Sequence, residues 1–250
     1  MSKKLLYLDT ETTGNEEKDC LVQIAYAIKT DIETPLIESE IVSELYKPPI
    51  PISVESMAVH HITQKMVAEK PEFKWSKEHA YLKNLFAENN VILVAHNAKF
   101  DVAMIKKEGL SPSDVICTLR VARYLDKENK IPRYNLQYLR YFLGIEIDAV
   151  AHDAKGDVLV LDRLFERLYK KILDECDGLR EKALAKMIDI SSRPSLLYKF
   201  TFGKYNDKSV EYVRDTDPGY LDWMLGQKLA NNANDEDWIY TLKHYLGKLQ

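Results

Sequence analysis

A short apolar run that ends in two acids constrains this chain more than any other feature. Leu5-Leu6-Tyr7-Leu8 leads directly into Asp9-Thr10-Glu11-Thr12-Thr13-Gly14. The apolar run reads as a buried strand, and successive side chains of a strand point to opposite faces. Asp9 and Glu11 therefore share a face, roughly 6–7 Å apart along it. Two carboxylates held that close repel each other, and relief requires a cation or a shared proton. Oxygen-only clusters suit hard divalent cations such as Mg²⁺ or Mn²⁺. The end of the first strand reads as a metal site.

A length of 250 residues permits one large domain, or one domain with a small appendage. No apolar stretch approaches bilayer-spanning length, and the first strand starts too early for a signal peptide. Cys20, Cys117 and Cys176 lack metal-ligand spacing and fit reduced thiols used as core filling. These features lead us to expect a cytoplasmic protein with no membrane partner. The formal net charge of −4 does not advertise nucleic-acid binding. Bulk charge is a poor guide here, because an acidic site that carries two divalent cations reverses its own sign.

Apolar runs at Leu5 to Thr10, Val22 to Lys29, Glu40 to Tyr46 and Val91 to Ala95 read as strands. Short polar turns join the first three into an antiparallel meander, which Lys47-Pro48-Pro49-Ile50-Pro51 ends. Ser53 is a cap for a short helix through His60, and Asn135 for one ending near Phe142, with Gly144 beyond. Helical spacing marks Trp75 to Asn89 and Ala98 to Glu108, the latter closed at Gly109; Phe100 is expected in the core. Asp153 opens the clearest helix, with Val158, Leu161, Leu164, Phe165, Leu168 and Ile172 on one face. Strands interleaved with helices define an α/β domain over residues 1–175. Residues 176–199 read as a connector and 200–250 as a small module too short for much of a core. In that module Asp217-Pro218 reads as a helix start, and Trp238, Leu242 and Leu246 recur at helical spacing.

Further candidates lie where a metal site would use them. Asp101 falls in the first turn of the helix after Val91 to Ala95, and Asp157 one turn into the Asp153 helix, at its positive end. His152 immediately precedes that helix. Three motifs thus follow in order: Asp-x-Glu-x-Thr-Gly at Asp9, His-Asn-x-x-Phe-Asp at His96, and His-Asp-x-x-x-Asp at His152. Together they resemble the signature of the DEDDh 3′→5′ exonucleases over residues 5 to about 172, with Cys117-Thr118-Leu119 and Leu136-Gln137-Tyr138-Leu139 between the motifs.

The resemblance implies a ribonuclease-H-like mixed sheet flanked by helices and two Mg²⁺ or Mn²⁺ ions per active site. Asp9 would bridge both ions, Glu11 and Asp157 would complete the shell of the first ion, and Asp101 would help hold the second. His152 would take the proton of the attacking water. Nucleoside monophosphates would leave from 3′ ends. Glu55 and His60 match a glutamate and histidine that touch the terminal nucleotide, although relatives commonly place glycine where His61 stands. Thr10 and Thr13 are candidate contacts to the 3′ end through backbone or hydroxyl. His96 is expected to order its turn rather than bind metal.

Phe202-Gly203-Lys204-Tyr205, Lys208-Ser209 and Asp217-Pro218-Gly219-Tyr220-Leu221 resemble a C-terminal module of exonuclease X-like proteins, which favours DNA over RNA. Lys199, Lys204, Tyr205, Lys208 and Arg214 offer themselves to a nucleic-acid backbone or simply to solvent. An RNA-trimming exonuclease and a polymerase-associated proofreading subunit are the rival readings. Self-association stays open.

Overall fold

The computed structural model describes residues 3–147, 153–230 and 235–249. By contacts the chain divides into two compact units: Met1–Leu125 with Ile131–Ser191, and Asp126–Lys130 with Ser192–Gln250.

The larger unit is built on five strands, β1 (Lys4–Thr12), β2 (Leu21–Lys29), β3 (Val42–Leu45), β4 (Val91–Ala95) and β5 (Asp114–Cys117), in the order β3-β2-β1-β4-β5. β1, β2 and β3 form the expected antiparallel meander, with Asp9 opposite Ala25. β4 then joins the other edge of β1 in parallel, and β5 extends the sheet in parallel beyond it. β5 was not anticipated, since four residues are too few to show a period.

Strict alternation splits the sheet residues between two cores. Leu5, Tyr7, Ala25, Ala27, Ile92, Val94 and Ile116 face one side; Leu6, Leu8, Ile24, Tyr26, Leu93 and Ala95 face the other. The second side is covered by α3 (Lys77–Ala87) and α4 (Lys99–Lys107), through Leu82, Leu85, Phe86 and Ile105. The first side is covered chiefly by α7 (Ala154–Asp174), whose Val158, Leu161, Leu164, Phe165, Leu168 and Ile172 are all buried. Before these come α1 (Val54–His60), capped by the Ser53 side chain, and α2 (Gln64–Val67). Between β5 and α7 lie α5 (Thr118–Leu125) and α6 (Leu136–Phe142), the latter capped by Asn135.

The stretch expected to be a connector is largely helical. Within it α8 (Arg180–Ser192) contributes Ala183, Leu184 and Met187 to the α7 side of the core. Its Ser191 hydroxyl also accepts from the Cys117 amide at 2.8 Å, which anchors the end of β5. Three apolar residues at helical spacing among many charges suffice for docking, and composition alone hid them.

The smaller unit carries its own core. Phe200 is fully buried, stacks on Trp238 at 4.8 Å, and is joined by Val210, Val213, Leu221, Met224, Leu225 and Leu242. These come from a turn at Gly203–Tyr205 and from α9 (Val210–Thr216), α10 (Pro218–Ala230) and α11 (Glu236–Tyr245). Pro218 opens α10, as its fixed φ and missing amide favour.

Candidate active site

β1 is flanked by β2 on one edge and β4 on the other, so its carboxyl end is the point where the strand order reverses. Open α/β sheets place ligands at such points. Asp9 and Glu11 occupy this end, on the face that Leu5 and Tyr7 bury beneath α7. Asp157 descends from the first turn of α7, and one carboxylate oxygen from each of Asp9, Glu11 and Asp157 lies within 4.8 Å of the others. Asp101 reaches the same end from the opposite side of the sheet. Asn97, at φ +59°, turns the chain sharply from β4 into α4, so Asp101 arrives within the first turn.

Asp101 stands outside the three-residue cage and is held by the Thr10 hydroxyl, which donates to its Oδ1 at 2.7 Å. Asp157 accepts a hydrogen bond from the Gln137 side-chain amide. The electrostatics are those of crowded buried anions. Burial, followed by the charges of Asp101, Asp157 and Glu11, raises the Asp9 carboxyl well above its ordinary range. Burial and the Asp157 and Asp101 charges push Glu11 up to about 8. Burial lifts Asp101 to about 7 against the opposing hydrogen bond from Thr10. No lysine or arginine among the described residues pairs with Asp9 or Glu11. Oxygen donors at this spacing, with Asp9 and Glu11 paired to no described cation, fit a hard divalent cation.

A cleft of about 530 Å³ opens beside Glu11, lined by Thr12, Gly14, Glu55, His60 and Phe100 among others. Phe100, expected in the core, is half-buried in this wall. Glu55 is exposed on α1 and faces the cleft. His60 also borders it, but both ring nitrogens are committed: Nε2 donates to the Thr12 carbonyl at 3.2 Å and Nδ1 accepts from the Ile62 amide at 3.0 Å. It can offer a nucleotide its ring but no free nitrogen. His61 is exposed at φ +61°, a left-handed position where glycine is favoured, so the histidine departs from the residue that this backbone suits best.

The hydroxyls of both threonines are engaged within the protein. Thr13 is fully buried; its hydroxyl donates to Asp19, its amide to Cys20 O, and its carbonyl accepts from Ser53 N. It has nothing left for a substrate. Thr10 is spent on Asp101. Alternation explains why: Thr10 must face away from Asp9 and Glu11. His96 orders its turn, with Nε2 donating to Tyr134 O at 2.6 Å and Nδ1 accepting from the Thr118 hydroxyl at 2.9 Å. His152 lies outside the described residues.

Asp19 was missed by the sequence reading, since a lone acid after Glu16-Glu17-Lys18 looks like solvated turn. It is buried and binds the Thr13 hydroxyl at 2.7 Å and the Glu16 amide at 2.8 Å. Within the smaller unit, several of the cations left open between a nucleic-acid backbone and solvent are paired with acids: Lys199 with Asp207, Lys204 with Asp217, and Arg214 with Glu211 and Asp215.

Sheet order, flanking helices and a carboxylate cage at the reversal point define an α/β domain able to hold a divalent cation at a cleft. Residues 6–165 match the exonuclease family model, and residues 200–228 match the exodeoxyribonuclease X-like C-terminal model. The chain belongs to the exonuclease family. It is 33% identical to Exodeoxyribonuclease 10 of Escherichia coli strain K12, over 97% of this chain and 98% of that protein. It is 32% identical to DNA polymerase III subunit epsilon of Haemophilus influenzae, over 91% of this chain and 93% of that protein. Among solved structures it resembles Exonuclease X in complex with 5′ overhanging duplex DNA, with 28% identity and a TM-score of 0.56, covering 75% of this chain and 99% of that one. The sheet is of the ribonuclease-H-like kind. No described helix is long and apolar enough to cross a membrane.

Proposed function

We propose that this protein is a divalent-cation-dependent exonuclease that removes nucleoside monophosphates from the 3′ ends of DNA. The observation that carries the reading is the convergence of Asp9, Glu11 and Asp157 within 4.8 Å beside a cleft, with Asp101 tied in from the other side of the sheet. DNA is favoured because the near-full-length relative is an exodeoxyribonuclease and the solved neighbour holds duplex DNA.

Asp9 is assigned as the ligand shared by two Mg²⁺ or Mn²⁺ ions, Glu11 and Asp157 as further ligands of the first, and Asp101 as a ligand of the second. Bound there, such ions supply charge neutralisation at the phosphate and an acidified water near neutral pH. His152, five positions before Asp157, accepts the proton as water attacks phosphorus and the 3′ oxygen leaves. It must be neutral to do so, so the rate climbs as pH passes its pKa. Glu55, the His60 ring and Phe100 line the space for the terminal nucleotide. The reduced cysteines suit work on DNA in the cytoplasm.

The test uses 3′- and 5′-labelled single-stranded DNA, duplex DNA and RNA, with Mg²⁺, Mn²⁺ or chelator. Stepwise shortening from the 3′ end of DNA, lost in chelator and in Asp9→Ala and His152→Ala, is expected. Shortening from the 5′ end, or full activity in chelator, overturns the proposal. Cleavage of RNA alone moves the substrate to RNA. The similarity to a polymerase epsilon subunit supports a second reading, a proofreading partner. That reading requires the purified chain to need a polymerase for activity on mismatched 3′ ends.

A further inference from the structure

The acidic ligands assigned above are supported unequally. Asp9 and Glu11 ride on β1, which β2 pairs along this stretch and β4 pairs as far as Tyr7, and which holds its side chains in alternation. Asp101 and Asp157 ride on α4 and α7, which pack on opposite faces of the sheet. A short acid side chain on a helix turn has two torsions to settle, and something must settle them. The Thr10 hydroxyl at 2.7 Å helps to settle Asp101, and the Gln137 amide is one of the groups that settle Asp157.

Both donors are neutral, and the contrast with the next acid on α7 is informative. Asp162, five residues beyond Asp157, is held by the Lys29 ammonium at 2.6 Å and is 1% exposed. The lysine cancels its charge. A hydroxyl or amide fixes a carboxylate while leaving its full charge for an incoming cation. Thr10 is also placed by the alternation that separates Asp9 from Glu11, since the residue between them must face α4.

We infer that Thr10 and Gln137 are positioning residues, each aiming one helix-borne carboxylate at a different cation, Thr10 through Asp101 and Gln137 through Asp157. The inference rests on the two-cation reading. The division follows from the geometry: Asp157 belongs to the cage with Asp9 and Glu11, whereas Asp101 lies outside it. The two donors therefore act on separate sites.

Binding of Mn²⁺ alone to the full-length protein tests this, with free Mn²⁺ read by electron paramagnetic resonance and no substrate present. Asp101→Asn and Asp157→Asn identify which step of the isotherm belongs to each carboxylate. Thr10→Val is expected to weaken only the Asp101 step, and Gln137→Met only the Asp157 step, each by about tenfold or more. Thr10→Ser keeps the donor and is expected to restore the Asp101 step. Two ions on the wild type with unchanged isotherms in both variants overturns this inference alone. Equal loss in Thr10→Val and Thr10→Ser also overturns it, because packing rather than the hydroxyl would then be responsible. Fewer than two ions on the wild type sinks the two-cation reading and this inference with it.

Discussion

A methyl group added at Gly14 would stand 2.4 Å from Oδ2 of Asp19, so the glycine is required by the aspartate beside it. The aspartate in turn folds the turn after β1, binding the Thr13 hydroxyl and the Glu16 amide. Gly14→Ala should cost about 1–3 kcal/mol, the range for forcing atoms into a filled site. Because Gly14 borders the cleft beside Glu11, KM should rise as well. Burial opposes the Asp19 charge, but hydrogen bonds from Thr13 and Glu16 outweigh it and hold the carboxyl below its ordinary value. Its contribution is therefore complete above the usual carboxylate pKa and lost as pH falls through the lower folded value. In Asp19→Asn the acid limb of the stability curve should flatten, as urea titrations across pH would show.

The Lys29–Asp162 pair is among the most buried ionic contacts described, with side chains 7% and 1% exposed. Removing one partner leaves a buried charge alone, which typically costs about 3–5 kcal/mol. Lys29→Met should show that loss in denaturant unfolding. Lys29→Met with Asp162→Leu should recover only part of it. The Leu36 amide, now bonded to Asp162 Oδ2 at 3.0 Å, would be orphaned at a cost of about 1–3 kcal/mol.

His96 gives the fold a sensitivity to acid. Loss of hydration pushes its pKa down from 6.5 to about 4, despite the hydrogen bond to Tyr134. Between those values the unfolded chain binds a proton that the native ring refuses, so stability falls as pH drops through that window. The full effect is about 3 kcal/mol at 1.36 kcal/mol per pKa unit. His96→Gln should remove this slope, seen as melting temperatures that vary less between pH 6.5 and 4.

His61 holds a left-handed conformation that costs an L-residue roughly 1–2 kcal/mol. His61→Gly should raise stability by about 0.5–1 kcal/mol, since glycine loses more freedom on folding and offsets part of the relief. Because His61 is exposed, kcat should not change.

Asp9 illustrates a conflict between stability and use. Its carboxyl, raised by burial and by neighbouring acids, destabilises the metal-free fold more as pH rises and the group ionises. In chelator at pH 8, Asp9→Asn should melt higher than wild type while losing nuclease activity. A lower melting temperature would show that the carboxylates are not in conflict.

Much of the site is legible along the chain because its logic is local. Period two places Asp9 and Glu11 together, and the caps Ser53 and Asn135 and the turn glycines Gly109 and Gly144 announce their helices. β5 and the docking of α8 were not legible. Each depends on a few residues whose partners are distant, such as Ile116 in the core and Ser191 against Cys117. The hydroxyl partners of Thr10 and Thr13 were not legible for a related reason. A hydroxyl next to an acidic motif looks available until the acid that accepts its hydrogen bond is brought in from residue 101 or 19.

What the sequence settled unaided was the chemistry on offer: which acids exist, which two share a strand face, and which family's order of motifs they follow. Folding alone decided which side chains were free to use it. Side-chain direction follows from local backbone geometry, but availability depends on every group that arrives from elsewhere, and only the packed chain fixes those arrivals.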